Sequence, residues 1–276
     1  MKLTNLLKTK PFLLYLLIFS GLILCFGNSV NAQVTDSIVP VKDDPEKLLQ
    51  KVDIRHLTSN GLNFWEEDFT GHWAGIDFGF NLLLNEDYSA YNSDFMDNDI
   101  LRSNSFYINF VQQSIGLQRD RNSIGLVTGI GIRFHSYRLD DNITITMDEN
   151  NVIQPQEPMF SNIKKSKFGV VNVVVPLLAE FQIPINNYNN RIYFSGGLYG
   201  SVRLNSHTKV KYKEEQNEKL KVVDHFSMHD LGYGIMLRTG YRWVNLHVTY
   251  DLQKLFKEDK GPELTPFSFG ITLLRF

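Results

Sequence analysis

Two histidines, His225 and His229 in the stretch DHFSMHD, have the residue type and close spacing that could bind a transition metal. In an extended strand, residues four apart lie roughly 13 Å from each other, which is too far for two ligands of one ion. We therefore predict no metal site here. A helical loop, which would bring the two rings together, is the less favoured alternative.

The neighbours His135 and Ser136 have the residue types of a hydrolase or acyl-transfer site, in which a histidine activates a serine hydroxyl. Adjacent residues of a strand point to opposite faces, so these two side chains cannot partner each other. A partner on a neighbouring strand stays an open alternative. We interpret both residues as ordinary residues at the rim of a strand.

Three acids, Asp94, Asp97 and Asp99 in the stretch DFMDND, could supply oxygen ligands to calcium. The stretch lacks the central glycine and the closing glutamate of a calcium-binding loop. A solvated acidic loop is the better interpretation. We thus predict no catalytic residue, no cofactor site and no metal site, and we expect a protein that is not an enzyme.

The amino terminus carries a secretion signal. Lys2, Lys8 and Lys10 precede the uncharged apolar run Pro11–Phe26, and the small residues of GNSVNA follow it, ending at Ala32. The apolar run is shorter than the roughly 20 residues that a membrane-spanning helix needs. We predict residues 1–32 as a signal peptide that is cleaved after Ala32.

Cleavage at that point would remove Cys25, which is the single cysteine of the chain, and would exclude disulfides and cysteine metal sites. Leu24 stands before Cys25 where a lipoprotein signal has a small residue, which argues against lipidation. The mature chain would lose three lysines and no acid, so its formal net charge changes from −2 to −5. This mild acidity offers no basic face for nucleic acid.

Residues 33–70 are polar and lack alternation, and we interpret them as a periplasmic lead segment. From residue 71 to the end, the chain alternates between apolar and polar residues in eight runs. Such alternation indicates strands that lie between two different solvents. The predicted strands are Trp73–Leu84, Ser105–Gln118, Ser123–Tyr137, Phe168–Ile183, Arg191–Leu204, Asp230–Arg242, Val244–Leu252 and Pro266–Phe276.

The links between these runs are sorted by length. Short links, Arg119–Asn122, Pro184–Asn190 and Arg242–Asn245, alternate with the long charged links Asn85–Asn104, Arg138–Lys167, Asn205–His229 and Gln253–Thr265. Short turns on one side and long loops on the other are typical of outer-membrane barrels. We predict that residues 71–276 form one eight-stranded antiparallel up-and-down transmembrane β-barrel in the outer membrane of a Gram-negative bacterium.

The apolar face of each predicted strand would contact lipid, and the polar face would fill the lumen. Eight strands enclose an interior just wide enough for side chains, so the charges there are expected to pair and plug it, with a conduit as the alternative. Glycines of the polar face are expected to make room for this network of charges. The lumen charges are Asp77, Arg133, Glu180, Arg191, Arg203, Asp230, Arg238, Arg242 and Asp251.

The pattern leaves three registers open. The second strand slips near Gln112 and Gln113, which predicts a β-bulge there. The fourth strand contains Pro176, which predicts a bulge or a missing ladder bond. In the eighth strand, Phe276 has the opposite parity to the alternating apolar residues before it.

Aromatic residues near the strand ends predict interface belts. The predicted belt residues are Trp73, Phe181, Tyr193, Tyr241, Trp243 and Phe276 on the periplasmic side and Phe134, Tyr137 and Phe267 on the outer side.

Two features of the sequence resemble features of known families. The end FSFGITLLRF, with Leu274 two residues before the terminal Phe276, resembles the signal that the barrel-assembly machinery recognises. The stretches GHWAGIDFGFNLLL and VVVPLLAEF resemble strands of the PorT-like outer-membrane barrel family, which is widespread in Bacteroidota. The resemblance covers Gly71–Phe276, implies an eight-stranded barrel without a defined activity, and rests on Gly71, His72, Trp73, Gly75, Gly79 and Asn81.

One relative in that family assists protein secretion, so the resemblance implies a non-enzymatic structural, scaffolding or secretion-accessory role. The alternatives are surface binding through the long loops Arg138–Lys167 and Asn205–His229, and an outer-membrane hydrolase. The expected partners are outer-membrane lipid and lipopolysaccharide, the barrel-assembly machinery during insertion, and a secretion or surface protein, but not nucleic acid.

Overall fold

The computed structural model describes residues 69–91, 93–118, 123–139, 143–157, 163–185, 190–213 and 217–276. The predicted signal peptide (1–32) and all but the last two residues of the predicted lead segment (33–70) lie outside the described residues. Within the described part, no helix has the length and the apolar composition that a membrane span requires.

Antiparallel strands dominate the described chain, and a short 3-10 helix, η1, is formed by Ile100–Arg102. The strands are β1 Gly75–Asp87, β2 Asn104–Gly116, β3 Ile124–Leu139, β4 Thr144–Met147, β5 Ile153–Gln156, β6 Ile163–Ile185, β7 Asn190–Lys213, β8 Asn217–Val223, β9 Leu231–Tyr241, β10 Val244–Asp251 and β11 Glu263–Arg275.

Eight of the described strands close into a ring. The hydrogen-bonded order is β6, β3, β2, β1, β11, β10, β9 and β7, and β6 pairs with β7 to complete the circle. Strand β8 pairs with the outer part of β7, while β4 and β5 form a separate hairpin. The predicted eight-stranded antiparallel barrel is confirmed.

The lengths of the connections follow the prediction. Short links join β2 to β3, β6 to β7 and β9 to β10, and long links join β1 to β2, β3 to β6, β7 to β9 and β10 to β11. In outer-membrane barrels the short turns are periplasmic and the long loops are extracellular. The hairpin β4–β5 and the strand β8 therefore belong to the extracellular side.

The two faces of the strands are also as predicted. On β3, Leu126 and Phe134 are 36% and 37% exposed on the outer surface, whereas Val127 and Arg133 are buried inside. The same alternation on β9 exposes Leu237 and buries Arg238. The apolar row of each strand thus forms the lipid-facing surface of the barrel.

Irregular pairing explains where the alternation slips. Strand β2 has its register shift between Asn109 and Val111, so the predicted bulge is present at Phe110, slightly before Gln112. Strand β11 has a shift at Leu273, because Ile76 pairs with Leu274 and Asp77 pairs with Thr272. The extra residue at each shift reverses the inward–outward alternation of the strand. Apolar side chains therefore face outward both before and after the shift.

Pro176 lies on β6 at a gap in the ladder. Strand β3 pairs with β6 at Leu177 and again at Val174 without any change of register, and between these two positions the described strands form no ladder pair. The hydroxyl of Thr128 on β3 donates a hydrogen bond to the Pro176 carbonyl at 2.6 Å. Proline, which has no N–H, is therefore placed where a ladder bond is missing.

Strands β6 and β7 extend well past the predicted runs, because β6 begins at Ile163 and β7 ends at Lys213. We call the parts of β3, β6 and β7 beyond Phe134, Val171 and Leu204, together with β8, the outer extension. Strand β7 pairs with β8 from His207 to Lys213, so these two strands form a hairpin in the outer extension.

The predicted aromatic belts are correct only in part. Phe181, Tyr241 and Trp243 are exposed near the periplasmic end, as are Phe276 and, near the outer end, Phe134. The placement of three other aromatic residues in the belts is wrong, because they have the inward parity of their strands or precede the strand altogether. These buried residues are Trp73, Tyr137 and Tyr193.

Candidate functional site

The segment Phe69–Ala74, which we call the inner plug, lies inside the periplasmic half of the barrel. The prediction that Trp73 and Ala74 belong to the first strand is wrong. Their backbone N–H groups both donate to the side-chain oxygen of Gln112, at 2.6 and 2.8 Å, instead of joining a strand ladder. Because a side chain satisfies these donors, the chain can cross the lumen before β1 begins.

Polar contacts and one ring contact hold the inner plug to β6 and β7. The backbone N–H and the ring Nδ1 of His72 donate to the Glu180 carboxylate at 3.1 and 2.6 Å, and the ring stacks on Tyr193 with centroids 4.0 Å apart. The Gln182 amide donates to the Thr70 carbonyl at 2.7 Å. Glu180, which the sequence predicted as a lumen charge, thus accepts hydrogen bonds from the inner plug.

Aromatic rings of the inner plug fill space that lumen glycines leave. A Cβ added to Gly125 would lie 2.3 Å from the ring of Phe69, and one added to Gly129 would lie 2.5 Å from the ring of Trp73. Both rings are buried against Met236 and other apolar side chains. These glycines therefore make room for the inner plug and not, as predicted, for the charge network.

An ion pair crosses the lumen next to the inner plug. Both terminal nitrogens of Arg238 donate to Asp77, at 2.8 and 3.1 Å, and Asn109 donates to the same carboxylate at 2.9 Å. The guanidinium lies 5.3 Å from the centre of the Trp73 ring. Two donors in a fork and an aromatic face are the arrangement that suits a buried arginine.

A second pair lies nearer the extracellular end. Arg133 donates to both oxygens of Asp251, at 3.1 and 3.3 Å, and to the Tyr199 hydroxyl at 3.0 Å. The Tyr199 hydroxyl also donates to Asp251. Each charge has several polar partners, which offsets the loss of its hydration.

The other predicted lumen charges have different positions. Arg203 pairs with Asp230 and also donates to the His229 carbonyl at 3.2 Å, at the outer end of the barrel. Arg191 lies at the periplasmic mouth, where it donates to Gln182 at 3.2 Å. The prediction for Arg242 is wrong, because this residue is exposed in the β9–β10 turn.

Between the ion pairs, the hydroxyl of Tyr107 on β2 contacts side chains of three other strands, β3, β10 and β11. It contacts Ser268 at 2.6 Å, Thr249 at 3.3 Å and the His135 Nε2 at 3.2 Å. The other ring nitrogen of His135 lies 3.1 Å from the Tyr137 hydroxyl. Both nitrogens of this buried histidine therefore contact phenols, which is a structural arrangement and not that of a base next to a serine.

Ser136 points to the opposite side of β3. Its hydroxyl accepts a hydrogen bond from the Lys167 ammonium at 3.0 Å on the outer surface of the barrel. The structure thus separates His135 from Ser136, as the alternation predicts.

A cavity of about 40 Å³ lies beside His135. Arg133, Arg203 and Asp251 are among the residues that line it. Such a volume suits a few water molecules.

Above these polar groups, the four long loops and the strand ends beneath them form one buried apolar cluster, which we call the outer cap. Phe168 of β6 is fully buried there and contacts Phe226 and Phe256 edge-on or tilted. The loop residues in the cluster are Tyr88, Phe95, Met96, Ile145, Ile153, Phe226, Met228, Leu255 and Phe256. Burial of each large apolar side chain contributes about 1.5–3 kcal/mol.

Hydrogen bonds between different loops stabilise the outer cap. The Ile153 N–H donates to the Lys260 carbonyl at 2.7 Å, and the Ser227 hydroxyl donates to the Asn151 carbonyl at 2.6 Å. The Lys257 N–H donates to the Ser227 carbonyl at 2.9 Å. The described parts of three loops, those that follow β3, β7 and β10, are therefore linked directly to one another.

The remaining candidates from the sequence have structural contacts. His225 Nδ1 lies 2.6 Å from the carboxylate of its neighbour Asp224, while His229 lies at the small cavity. Asp99 caps η1 by accepting from the Leu101 and Arg102 N–H groups. Within the described residues, no group of three or more His, Cys, Asp or Glu side chains is arranged to hold a metal.

The profile of the family described as "Outer membrane protein beta-barrel domain" matches residues 71–257, from the inner plug to the last long loop. The chain belongs to this outer-membrane β-barrel family. It is therefore an integral protein of the outer membrane of a Gram-negative bacterium. No curated protein matches the chain. Strand β11 lies beyond the matched residues and closes the ring against β1.

Sequence reasoning overlooked two features of this family member. The inner plug reads as the start of a strand because GHWAG runs directly into an alternating segment. Gln112, at an inward position of its strand, was a weak signal that a backbone segment lies in the lumen, since a buried amide needs polar partners. The outer cap left no periodic signal, because its apolar residues are scattered over separate loops.

Proposed function

We propose that this barrel is a closed, non-enzymatic scaffold that presents the outer cap on the bacterial surface and takes part in protein secretion. The observation that carries the proposal is the packing at both ends of the lumen: Trp73 of the inner plug and Phe168 of the outer cap are both fully buried. A pore needs a continuous aqueous path, and a catalytic site needs access for its substrate.

The secretion-accessory part of the proposal is supported by sequence. The stretches GHWAG and VVVPLLAEF resemble the PorT-like group of Bacteroidota, and one member of that group assists secretion. A scaffold of this kind would contact its partners through the outer cap, the periplasmic turns or both.

Site-specific photocrosslinking in the native membrane tests the proposal. The crosslinker replaces Leu101 of the extracellular helix η1, which is 81% exposed, or Trp243 of the β9–β10 periplasmic turn, which is 87% exposed. Leu198, which faces lipid and is 61% exposed, is the matched control. We expect defined secretion proteins to be captured at Trp243, and a deletion strain to release smaller amounts of secreted proteins.

Normal secretion by the deletion strain, together with no capture at Leu101 or Trp243, would contradict the proposal. Surface binding through the long loops is the second candidate, and the hydrogen bonds that order the outer cap favour it. Capture of an extracellular protein at Leu101 alone, with unchanged secretion, would support that candidate instead.

A further inference from the structure

Lysines cover one outward face of the outer extension. In the register of the strands, Lys167 of β6 is opposite Lys209 of β7, and Lys209 is opposite Lys221 of β8. The next row repeats the arrangement with Lys165, Lys211 and Lys219. We call these residues the lysine grid; its members are Lys165, Lys167, Lys209, Lys211, Lys219 and Lys221.

The positive charge extends to β3, because Arg138 is paired with Lys167 in the sheet. The described outward positions of these strand segments carry no acidic side chain. Glu218 has the opposite parity and accepts a hydrogen bond from the Tyr212 hydroxyl at 2.7 Å on the other face. Strand alternation thus separates a sequence of mixed charge into one cationic surface.

Like charges directly opposite each other destabilise a sheet. Burial and the neighbouring cations Lys165, Arg138 and Lys209 lower the pKa of Lys167, which lies above the apolar band, to about 8. The arrangement costs free energy in the isolated protein, and a bound anion would offset that cost.

The height of the lysine grid points to a lipid. From Phe181 to Val171, the outward residues of β6 cover about 25 Å along the membrane normal, at about 3.3 Å per residue and a tilt of about 40°. This is the height of the apolar band of an outer-membrane barrel. Lys167 is four residues farther along, or about 10 Å higher, at the level of lipid headgroups.

A groove of about 300 Å³ connects the two zones on the same face. Phe134 and Val171 line it together with Gly169, and Lys167 and Lys209 are also among its lining residues. The glycine leaves space that the ring of His207, another lining residue of the groove, occupies. Apolar walls next to clustered ammonium groups match a molecule that has acyl chains and phosphates.

We propose that the lysine grid and this groove bind the phosphorylated glycolipid of the outer leaflet, with its phosphates on the lysines and its acyl chains along the apolar band. The site faces sideways into the membrane, continuous with the lipid-facing rows, which favours a lipid over an acidic protein or a free anion. The inference rests on the barrel and its orientation and not on the secretion role.

Titration of the refolded full-length protein with lipid A in detergent, followed by native mass spectrometry, tests the site. We compare the triple variant Lys167→Gln, Lys209→Gln, Lys211→Gln with the control Lys254→Gln, Lys257→Gln, Lys260→Gln, which removes the same charge from the β10–β11 loop. At about 1 kcal/mol per lysine near a charged lipid surface, the grid variant should bind roughly 100-fold more weakly. The control should bind like the wild type.

Two further arms identify the ligand. Dephosphorylated lipid A should bind far more weakly than lipid A, and inorganic pyrophosphate should compete only at much higher concentration. A triple Lys→Arg variant at the grid positions should retain binding, and heat-modifiable migration checks that every variant is folded. Equal affinity of the grid variant and the wild type, equal binding of the dephosphorylated lipid, or competition by pyrophosphate at the affinity of lipid A would overturn the proposal.

Discussion

The lower and upper parts of the same strands follow opposite rules. On β6, the membrane segment exposes Leu177 and buries Glu180, whereas the outer extension buries Phe168 and directs Lys167 outward. The apolar interior of the membrane surrounds the lower part, and lipid headgroups and water surround the upper part. The apolar face of a strand therefore turns toward whichever side excludes water, and one continuous strand can serve both environments.

Different interactions consequently stabilise each of the two parts. The middle of the lumen depends on ion pairs such as Asp77–Arg238, in which each charge requires its partner. The outer cap depends on apolar packing, as in the core of a soluble domain. Substitutions in the two regions should therefore fail in different ways.

The largest effect is expected from Arg238→Leu, which leaves Asp77 charged and buried. Breaking a buried pair by removing one partner costs about 3–5 kcal/mol. The whole barrel should unfold at lower urea concentration in lipid vesicles. The double variant Asp77→Asn, Arg238→Leu is the control and should recover part of the loss; no recovery would show that packing, and not charge, stabilises this level.

Phe168→Ala should disturb the upper region alone. A phenylalanine-to-alanine change in a core costs about 3–5 kcal/mol, and the lower value applies here because loops can collapse into the space. We expect protease cleavage in the extracellular loops while heat-modifiable migration of the barrel is retained. Simultaneous loss of both properties would mean that the outer cap and the barrel unfold as one unit.

Ile130→Arg places a charge on the lipid-facing side of β3 in the middle of the strand. At the centre of the bilayer such a change costs about 2–4 kcal/mol, and near the interface it costs about 0–1 kcal/mol. The measured quantity is the free energy of unfolding in bilayers. Leu117→Arg, at the periplasmic end, is the depth control; equal effects of the two changes would contradict the assignment of the lipid face.

A smaller effect concerns pH. The folded pKa of Lys167, about 8, lies below its ordinary value of 10.5. Between these values the unfolded chain binds more protons than the folded one, so stability should rise as pH increases through this window. The difference in urea midpoint between the wild type and Lys167→Gln should therefore change between pH 7.5 and pH 10, in the absence of phosphorylated lipid. A constant difference would contradict the crowding of cations around Lys167.

The smallest expected effect is on ion conduction, because each end of the lumen is closed separately. Planar-bilayer recordings of the folded protein should show no long-lived conductance steps. Trp73→Ala weakens the inner plug but leaves the outer cap in place, so this variant should also remain silent. Reproducible steps from the wild type, absent from a mock preparation, would contradict a closed lumen.

The sequence by itself determined the number of strands in the barrel, the faces of these strands and the alternation of short and long links. These follow from local rules: side chains alternate with a period of two residues, and each loop has its own length. The sequence also predicted the bulge in β2 and the gap at Pro176, because a change of phase or a proline has a local cost.

Only the tertiary structure decided what fills the barrel and what covers it. Trp73 and Tyr137 read as interface aromatics, but ring closure placed one in the inner plug and the other in the outer cap. The partner of Arg238 is 161 residues away in the chain, so no local pattern could identify Asp77. The lysine grid likewise needs the register of three strands. Contacts across the lumen and along the sheet depend on closure of the ring, which periodicity within one strand does not contain.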